Sequence, residues 1–285
     1  MSRPLSPKSK RTRLRPAIAL TFSAFRRHNA SRFGAALAFY IVFSLAPTLL
    51  IVIAIAGSFF GRQQAEREIL ARIGGSFGEA TGSAIAAMIK EAGSRHVGWI
   101  ATGLGMLSLY FGVAGIVRQI HDALQTIWHD AADDAPPTLR RRIASLLLAF
   151  AAGAVVVSSI VADALIAATG KYASSRLIGG EFLWHLVQLT ASTLVLTALF
   201  AAVFRYLPRS RVSWRDVRLG SAVTAFLFVA GKLGLGLYLG KAAVGSAFGA
   251  AGSIVVVLLW SYWSAQIFFL GLEFTHVYAQ EREAA

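Results

Sequence analysis

Six histidines, 14 acidic residues and no cysteine limit the chemistry open to this chain of 285 residues. Without cysteine there is no disulfide framework, no thiolate nucleophile and no Cys-ligated metal site. His121-Asp122 and His129-Asp130 look like paired metal-ligand dipeptides. On a helix, eight positions set the two imidazoles about 80° apart, so they share a face poorly. Asp133 and Asp134 follow in a proline-containing stretch that reads as a solvated loop. No HxxxH or HExxH pattern occurs, and no GxxxxGK[ST] for a nucleotide phosphate. The expectation is a protein with no catalytic residue, no metal and no cofactor.

The other residues able to do chemistry sit inside apolar runs, where a charge costs at least about 2.5–3.5 kcal/mol on insertion scales. Asp163 lies near the outer end of one run, and Lys232 lies within another. Lys232 is about 22 Å from the inner surface at 1.5 Å per residue, and its long side chain can reach the outer boundary. His185, Gln188 and Ser192, at i, i+3 and i+7, share a helix face that begins at the same depth. Asp163, His185, Gln188, Ser192 and Lys232 therefore outline a candidate polar pocket open towards the outer half of a membrane, with Lys232 suited to an anionic group. The competing reading leaves Asp163 and His185 in the headgroup layer and lets Lys232 snorkel.

The elements that would hold these residues follow from composition. Hydrophobic residues make up 56% of the chain and charged residues 15%, with a mean hydropathy of +0.60. Soluble domains are nearer 45–50% apolar and about 25% charged, so this is a membrane protein. Six apolar runs are long enough to cross a bilayer: about 34–60, 98–117, 143–169, 182–204, 217–240 and 249–272. Their uninterrupted apolarity excludes the alternation of membrane β-strands, and all six are expected to be helices. The fold class is an all-α integral membrane protein, with a six-helix domain over 17–275, a basic tail at 1–16 expected to be disordered, and a cytoplasmic tail at 276–285.

The net charge of +14 would suggest nucleic acid in a soluble protein. Its placement says otherwise. Nineteen of the 28 Lys and Arg fall before the first run, between the second and third, between the fourth and fifth, just inside the fifth at Arg218, or after the last. Basic residues are retained on the cytoplasmic side, so both termini are expected there and no nucleic-acid partner is implied. Residues 1–16 are expected to lie against anionic lipid. They precede a run far longer than the core of a cleavable signal, which reads as a retained anchor.

Three amphipathic segments lie beside the spans. Ile18, Phe22 and Phe25 against Arg26 and Arg27 predict a basic interfacial helix. The periplasmic segment 61–97, with Ile69, Ile73, Phe77, Ile85, Met88 and Ile89, predicts two helices broken near Gly74–Gly82, on the outer leaflet or capping the bundle. Val117, Ile120, Leu124, Ile127 and Trp128 form a stripe expected just inside the membrane.

Pro47, mid-span, removes one helical hydrogen bond and frees the Phe43 carbonyl, which Ser44 is expected to help satisfy; the pair marks a kink or hinge. Ala101, Gly105, Ser108, Gly112 and Gly115 strip one face of the second span for close helix packing, and Gly236 and Gly240 form a weaker pair in the fifth.

At several of these segments the sequence resembles the YihY/virulence factor BrkB family of bacterial inner-membrane proteins, once labelled ribonuclease BN. The resemblance begins at Ala35-Ala36-Leu37-Ala38-Phe39-Tyr40 and Ser44-Leu45-Ala46-Pro47. It continues at Leu124-Gln125-Thr126-Ile127-Trp128, where the family more often has Asn at the Gln125 position. Tyr206-Leu207-Pro208, Trp214-Arg215-Asp216 and Gly220 follow, then Phe248-Gly249-Ala250-Ala251, Trp260, Tyr262 and Gly271-Leu272-Glu273. It implies six membrane helices and an envelope role linked to integrity and lipid handling. The ribonuclease label finds no metal-dependent nuclease constellation here. The leading functional expectation is a transporter or flippase-like protein for a lipid or other amphiphile, with membrane lipids and an anionic amphiphile as partners. The alternatives are a non-transporting scaffold of an envelope complex and, behind both, a membrane-tethered RNA-binding or processing protein.

Overall fold

The computed structural model describes residues 10–77, 79–94, 99–128, 180–206, 208, 212–241 and 252–283. All regular structure among them is helical: α1 (Lys10–Arg27), α2 (Ala30–Phe60), α3 (Arg62–Phe77), α4 (Glu79–Ser94), α5 (Trp99–Trp128), α6 (Gly180–Tyr206), α7 (Trp214–Lys241) and α8 (Gly252–Glu283). Five are long and apolar enough to cross a membrane: α2, α5, α6, α7 and α8. The expected third span, 143–169, lies outside the described residues.

Two boundaries differ from expectation. The second apolar run and the stripe that follows it form one continuous helix, α5, because nothing between Val117 and Trp128 breaks the 3.6-residue period. α1 begins at Lys10 rather than Ala17, so residues 10–16 of the tail expected to be disordered are helical.

α8 is the centre of the bundle. It packs against α2 on one side and α7 on the other, with α5 beyond α2 and α6 beyond α7. Its core is aromatic: Phe269 is fully buried beside Phe268, with ring centroids 5.2 Å apart, and Phe204 of α6 stacks on Phe200 and meets Phe268 at 5.8 Å. Large apolar side chains also point outwards, among them Phe59, Tyr110, Leu194, Phe226 and Leu237. A water-soluble fold does not leave so much apolar surface uncovered, whereas a bilayer covers it.

At the two ends of α2 the backbone turns through left-handed φ. Asn29 (φ 52°, ψ 40°) joins α1 to α2, a conformation Asn tolerates. Gly61 (φ 84°) closes α2 and opens the α3–α4 hairpin. That hairpin caps the bundle. Ile73, Ile85 and Ile89 are buried with Ile53 of α2, Leu235 and Leu239 of α7 and Val256 of α8. Its helices come together at glycines, where a Cβ on Gly82 would lie 2.8 Å from Gly74 Cα.

The opposite end, here the basal end, gathers the α1–α2 turn, the end of α5, the α6–α7 connection and the end of α8. The small face of α1, Ala17, Thr21 and Ala24, is buried, and Ala17 and Ala24 cluster with Phe274 and Val277 of α8. Ile18 and Phe22 are left exposed.

Candidate functional site

The basal end holds the most concentrated buried polar chemistry among the described residues. Glu273, on the last turns of α8, is fully buried, and its Oε1 shares a hydrogen bond with His28 Nδ1 at 2.7 Å. When Glu273 is ionised it can only accept, and the contact then uses a proton on His28 Nδ1. The α1–α2 turn positions His28: its amide donates to Ala24 O at 2.8 Å, and Asn29 follows in the left-handed conformation. One turn past Glu273, the His276 ring meets the Trp128 ring of α5 edge-on, centroids 4.9 Å apart.

A second ion pair closes the same end. Asp216, 1% exposed in the first turn of α7, lies 3.1 Å from Arg282 Nη1. Arg282 also donates to Ser213 Oγ at 3.4 Å, and Ser213 O accepts the amides of Asp216 and Val217 at 3.1 Å. Asp216 suits this place because the positive end of the helix dipole favours a carboxylate. The neighbouring connection is held by Arg205, which donates to Val212 O and lies over the Trp214 ring at 5.5 Å, with Pro208 buried beside it.

Between these charges α7 and α8 interlock. A Cβ on Gly220 would strike the Thr275 hydroxyl, and one on Gly271 would strike the Thr224 hydroxyl. Each threonine donates its own hydroxyl proton to the glycine carbonyl four residues back in its own helix, at 2.7 Å in both cases. The two Gly-xxx-Thr patterns thus fit each other reciprocally, in the small-residue mode by which membrane helices approach closely.

The residues singled out from sequence divide as follows. Gly112 and Gly115 face α2: a Cβ on Gly112 would lie 2.5 Å from Ser44 Cβ, and one on Gly115 would meet the Tyr40 ring. Gly105 and Gly236 face open space instead, and the surroundings of Gly240 lie outside the described side chains. Pro47 lies inside an unbroken α2. The freed Phe43 carbonyl is satisfied, but by Ser108 of α5, whose hydroxyl donates to it at 2.8 Å. Ser44 instead donates to Ile41 O at 3.1 Å, since its side chain points back along its own turn.

Of the candidate pocket, Ser192 and Lys232 are half-buried on α6 and α7, two helices that pack together. Asp163 lies outside the described residues, as do the side chains of His185 and Gln188. Among the remaining motif positions, Trp260 meets Phe228 edge-on at 6.2 Å.

His28, Asp216, His276, Arg282 and Ser108 were not expected at a site. The available signal was acid placement: Glu273 is the first charge after an apolar run, and Asp216 follows Ser213 at the spacing of a helix cap. His28 carried no signal of its own, being a histidine after two arginines.

A family model described as virulence factor BrkB matches residues 21–285. Relatives include proteins each named "UPF0761 membrane protein". That of Kangiella koreensis is 23% identical over 91% of this chain and 62% of its own length. That of Pseudoalteromonas atlantica is 24% identical over 85% of this chain and 78% of its own length. The Cronobacter sakazakii protein is 26% identical over 87% and 84%. The chain therefore spans about three fifths of the Kangiella relative and more of the other two. No solved structure matches. With an apolar helical bundle and a family match over all but the first 20 residues, the chain belongs to the virulence factor BrkB family of membrane proteins.

Proposed function

We propose that this chain moves an amphiphile with an anionic headgroup, a lipid being the simplest case, across a bacterial inner membrane. The observation that carries the reading is Lys232, a cation within the α7 span, half-buried on a helix packed against α6 and its Ser192. An ionisable residue in a span marks a substrate or ion pathway more often than a structural need, because hydrocarbon penalises it so heavily. His185 and Gln188, on the same face of α6 as Ser192, would supply hydrogen bonds, and Asp163 would balance the lysine.

The basic residues support an orientation with both termini in the cytoplasm. The α1–α2 turn and the end of α8 both lie at the basal end, as this requires. α5 finishes at that end and α6 also runs towards it, so a crossing at 143–169 would complete six. The reading uses no catalytic residue, cofactor or nucleic acid.

The test is transfer of a fluorescent phosphatidylglycerol analogue between leaflets of vesicles holding the purified protein. Lys232→Ala is expected to slow transfer by roughly tenfold, the factor that about 1.4 kcal/mol of lost charge recognition produces, while Lys232→Arg keeps most of it. Equal rates in vesicles with and without protein would refute the proposal. A scaffold is the second reading, favoured by exposed Arg26, Arg27, Arg215 and Arg218 around the basal end. In that case reversing the charges of Arg215 and Arg218 would abolish complementation of a null strain and Lys232→Ala would not.

A further inference from the structure

Lys232 lies between two unlike closures of the bundle. One turn towards the basal end on the same stripe of α7, Phe228 meets the Phe200 and Trp260 rings edge-on, at 5.9 and 6.2 Å. In the other direction Leu235 and Leu239, at i+3 and i+7, continue the stripe about 4.5 and 10.5 Å beyond Lys232 at 1.5 Å per residue. Both leucines are buried in one cluster with Ile73 of α3 and Ile85 and Ile89 of α4. The α3–α4 hairpin therefore covers the stripe that carries Lys232.

Three features suit this hairpin to opening. Its contact with the bundle is apolar: among the described residues, its side-chain hydrogen bonds, from Arg72 to Glu68 and from Ser83 to the Ala80 carbonyl, stay within α3 or within α4. It is joined to α2 through Gly61, whose φ of 84° only glycine takes freely and where an added Cβ would meet nothing within 4 Å. Lastly, Thr81 shares a stripe of α4 with Ile85 and Ile89 and is 2% exposed, yet its hydroxyl finds no hydrogen-bond partner among the described residues. A buried hydroxyl without a partner works against the closed position and is satisfied by water once the hairpin lifts. Apolar contacts of this kind hold against water, but a hydrocarbon chain covers the same surface equally well.

We infer that the α3–α4 hairpin is a lid that swings about Gly61 and uncovers the Lys232 stripe to an amphiphile with a long apolar chain. The chain takes over the contacts of Ile85, Ile89, Leu235 and Leu239 as the hairpin lifts, and its anionic headgroup gains the way to Lys232. The opening stands on the hairpin's own contacts; the admission of an amphiphile rests on the transport reading.

The chain has no cysteine, so a single introduced thiol reports alone. Leu239→Cys places one under the hairpin, Ala24→Cys places another at a buried position of the basal end, and Ser83→Cys places a third at an exposed position of α4 as the reference for reagent chemistry. Each is labelled with N-ethylmaleimide in vesicles holding the purified protein. Relative to Ser83→Cys, Leu239→Cys is expected to react roughly tenfold faster than Ala24→Cys, because local opening costs less than unfolding the bundle. Adding Ile85→Ala is expected to raise the Leu239→Cys rate by roughly tenfold or more, as truncating a buried isoleucine shifts a closing equilibrium by at least that factor, and to leave the Ala24→Cys rate unchanged. Adding Thr81→Val, which keeps the shape and removes the stranded hydroxyl, is expected to slow Leu239→Cys several-fold. Equal rates for Leu239→Cys and Ala24→Cys, or a Leu239→Cys rate that neither substitution moves, overturn the lid. The labelling needs no substrate, so its failure strikes the lid alone, whereas a lid that responds in vesicles showing no lipid transfer strikes the transport reading.

Discussion

Ser108 has the clearest single-residue role in the bundle, because it replaces the hydrogen bond that Pro47 removes from α2. Removing its hydroxyl leaves the Phe43 carbonyl unsatisfied in an apolar setting, and Ser108→Ala is expected to cost about 1 kcal/mol. Ser44→Ala removes only a bond within its own turn and is expected to cost less. Thermal unfolding of the two purified variants in the same detergent ranks them, and an equal or reversed order contradicts the assignment. The buried carboxylate is a larger matter. Glu273→Ala removes the partner of the His28 Nδ1 contact and is expected to cost about 1–3 kcal/mol, or to lower accumulation in the membrane. Asp216→Ala is expected to cost less, since its partner Arg282 is 34% exposed and can turn to water.

At the scale of elements, the interlock of α7 and α8 has a sharp consequence. Gly220→Val or Gly271→Val must push the helices apart at the point where they are closest, whereas Gly236→Ala fills open space. The first two are expected to lower the unfolding temperature by several degrees and the third to leave it unchanged or raise it slightly, as alanine favours helix. Sequence spacing made the spans legible, since length and apolarity alone define a helix in hydrocarbon. It did not reveal which glycines form contacts. Gly236 and Gly240 have the spacing of a packing motif, yet the helix rotation that aims a face at a neighbour is set by the whole bundle. Gly220 and Gly271 pair with threonines, and their partners become visible only when two distant segments are brought side by side. For the same reason the source of the Phe43 hydrogen bond could not be read locally: the nearest hydroxyl in sequence belongs to Ser44, and the nearest in space to Ser108.

For the whole molecule, the arrangement predicts a sidedness. Ser23 on α1 and Ser83 on α4 are both exposed and belong to opposite ends of the bundle. In right-side-out cells an impermeant maleimide is expected to label Ser83→Cys directly and Ser23→Cys only after permeabilisation; the reverse pattern would invert the proposed orientation. The basal end, dense with ion pairs and close helix contacts, contrasts with the α3–α4 end, which is joined by apolar packing. An assembly built this way is expected to open more readily at the α3–α4 end. The bond from Ser108 to Phe43 also imposes an order in time. The two residues are 65 positions apart, so α2 is made well before the hydroxyl that completes it. Until α5 follows it out of the ribosome, the proline-weakened helix has to find a temporary donor, from water or from the insertion machinery. α2 therefore matures only in the company of a later segment, and a chain truncated between them would leave a helix inserted but unfinished.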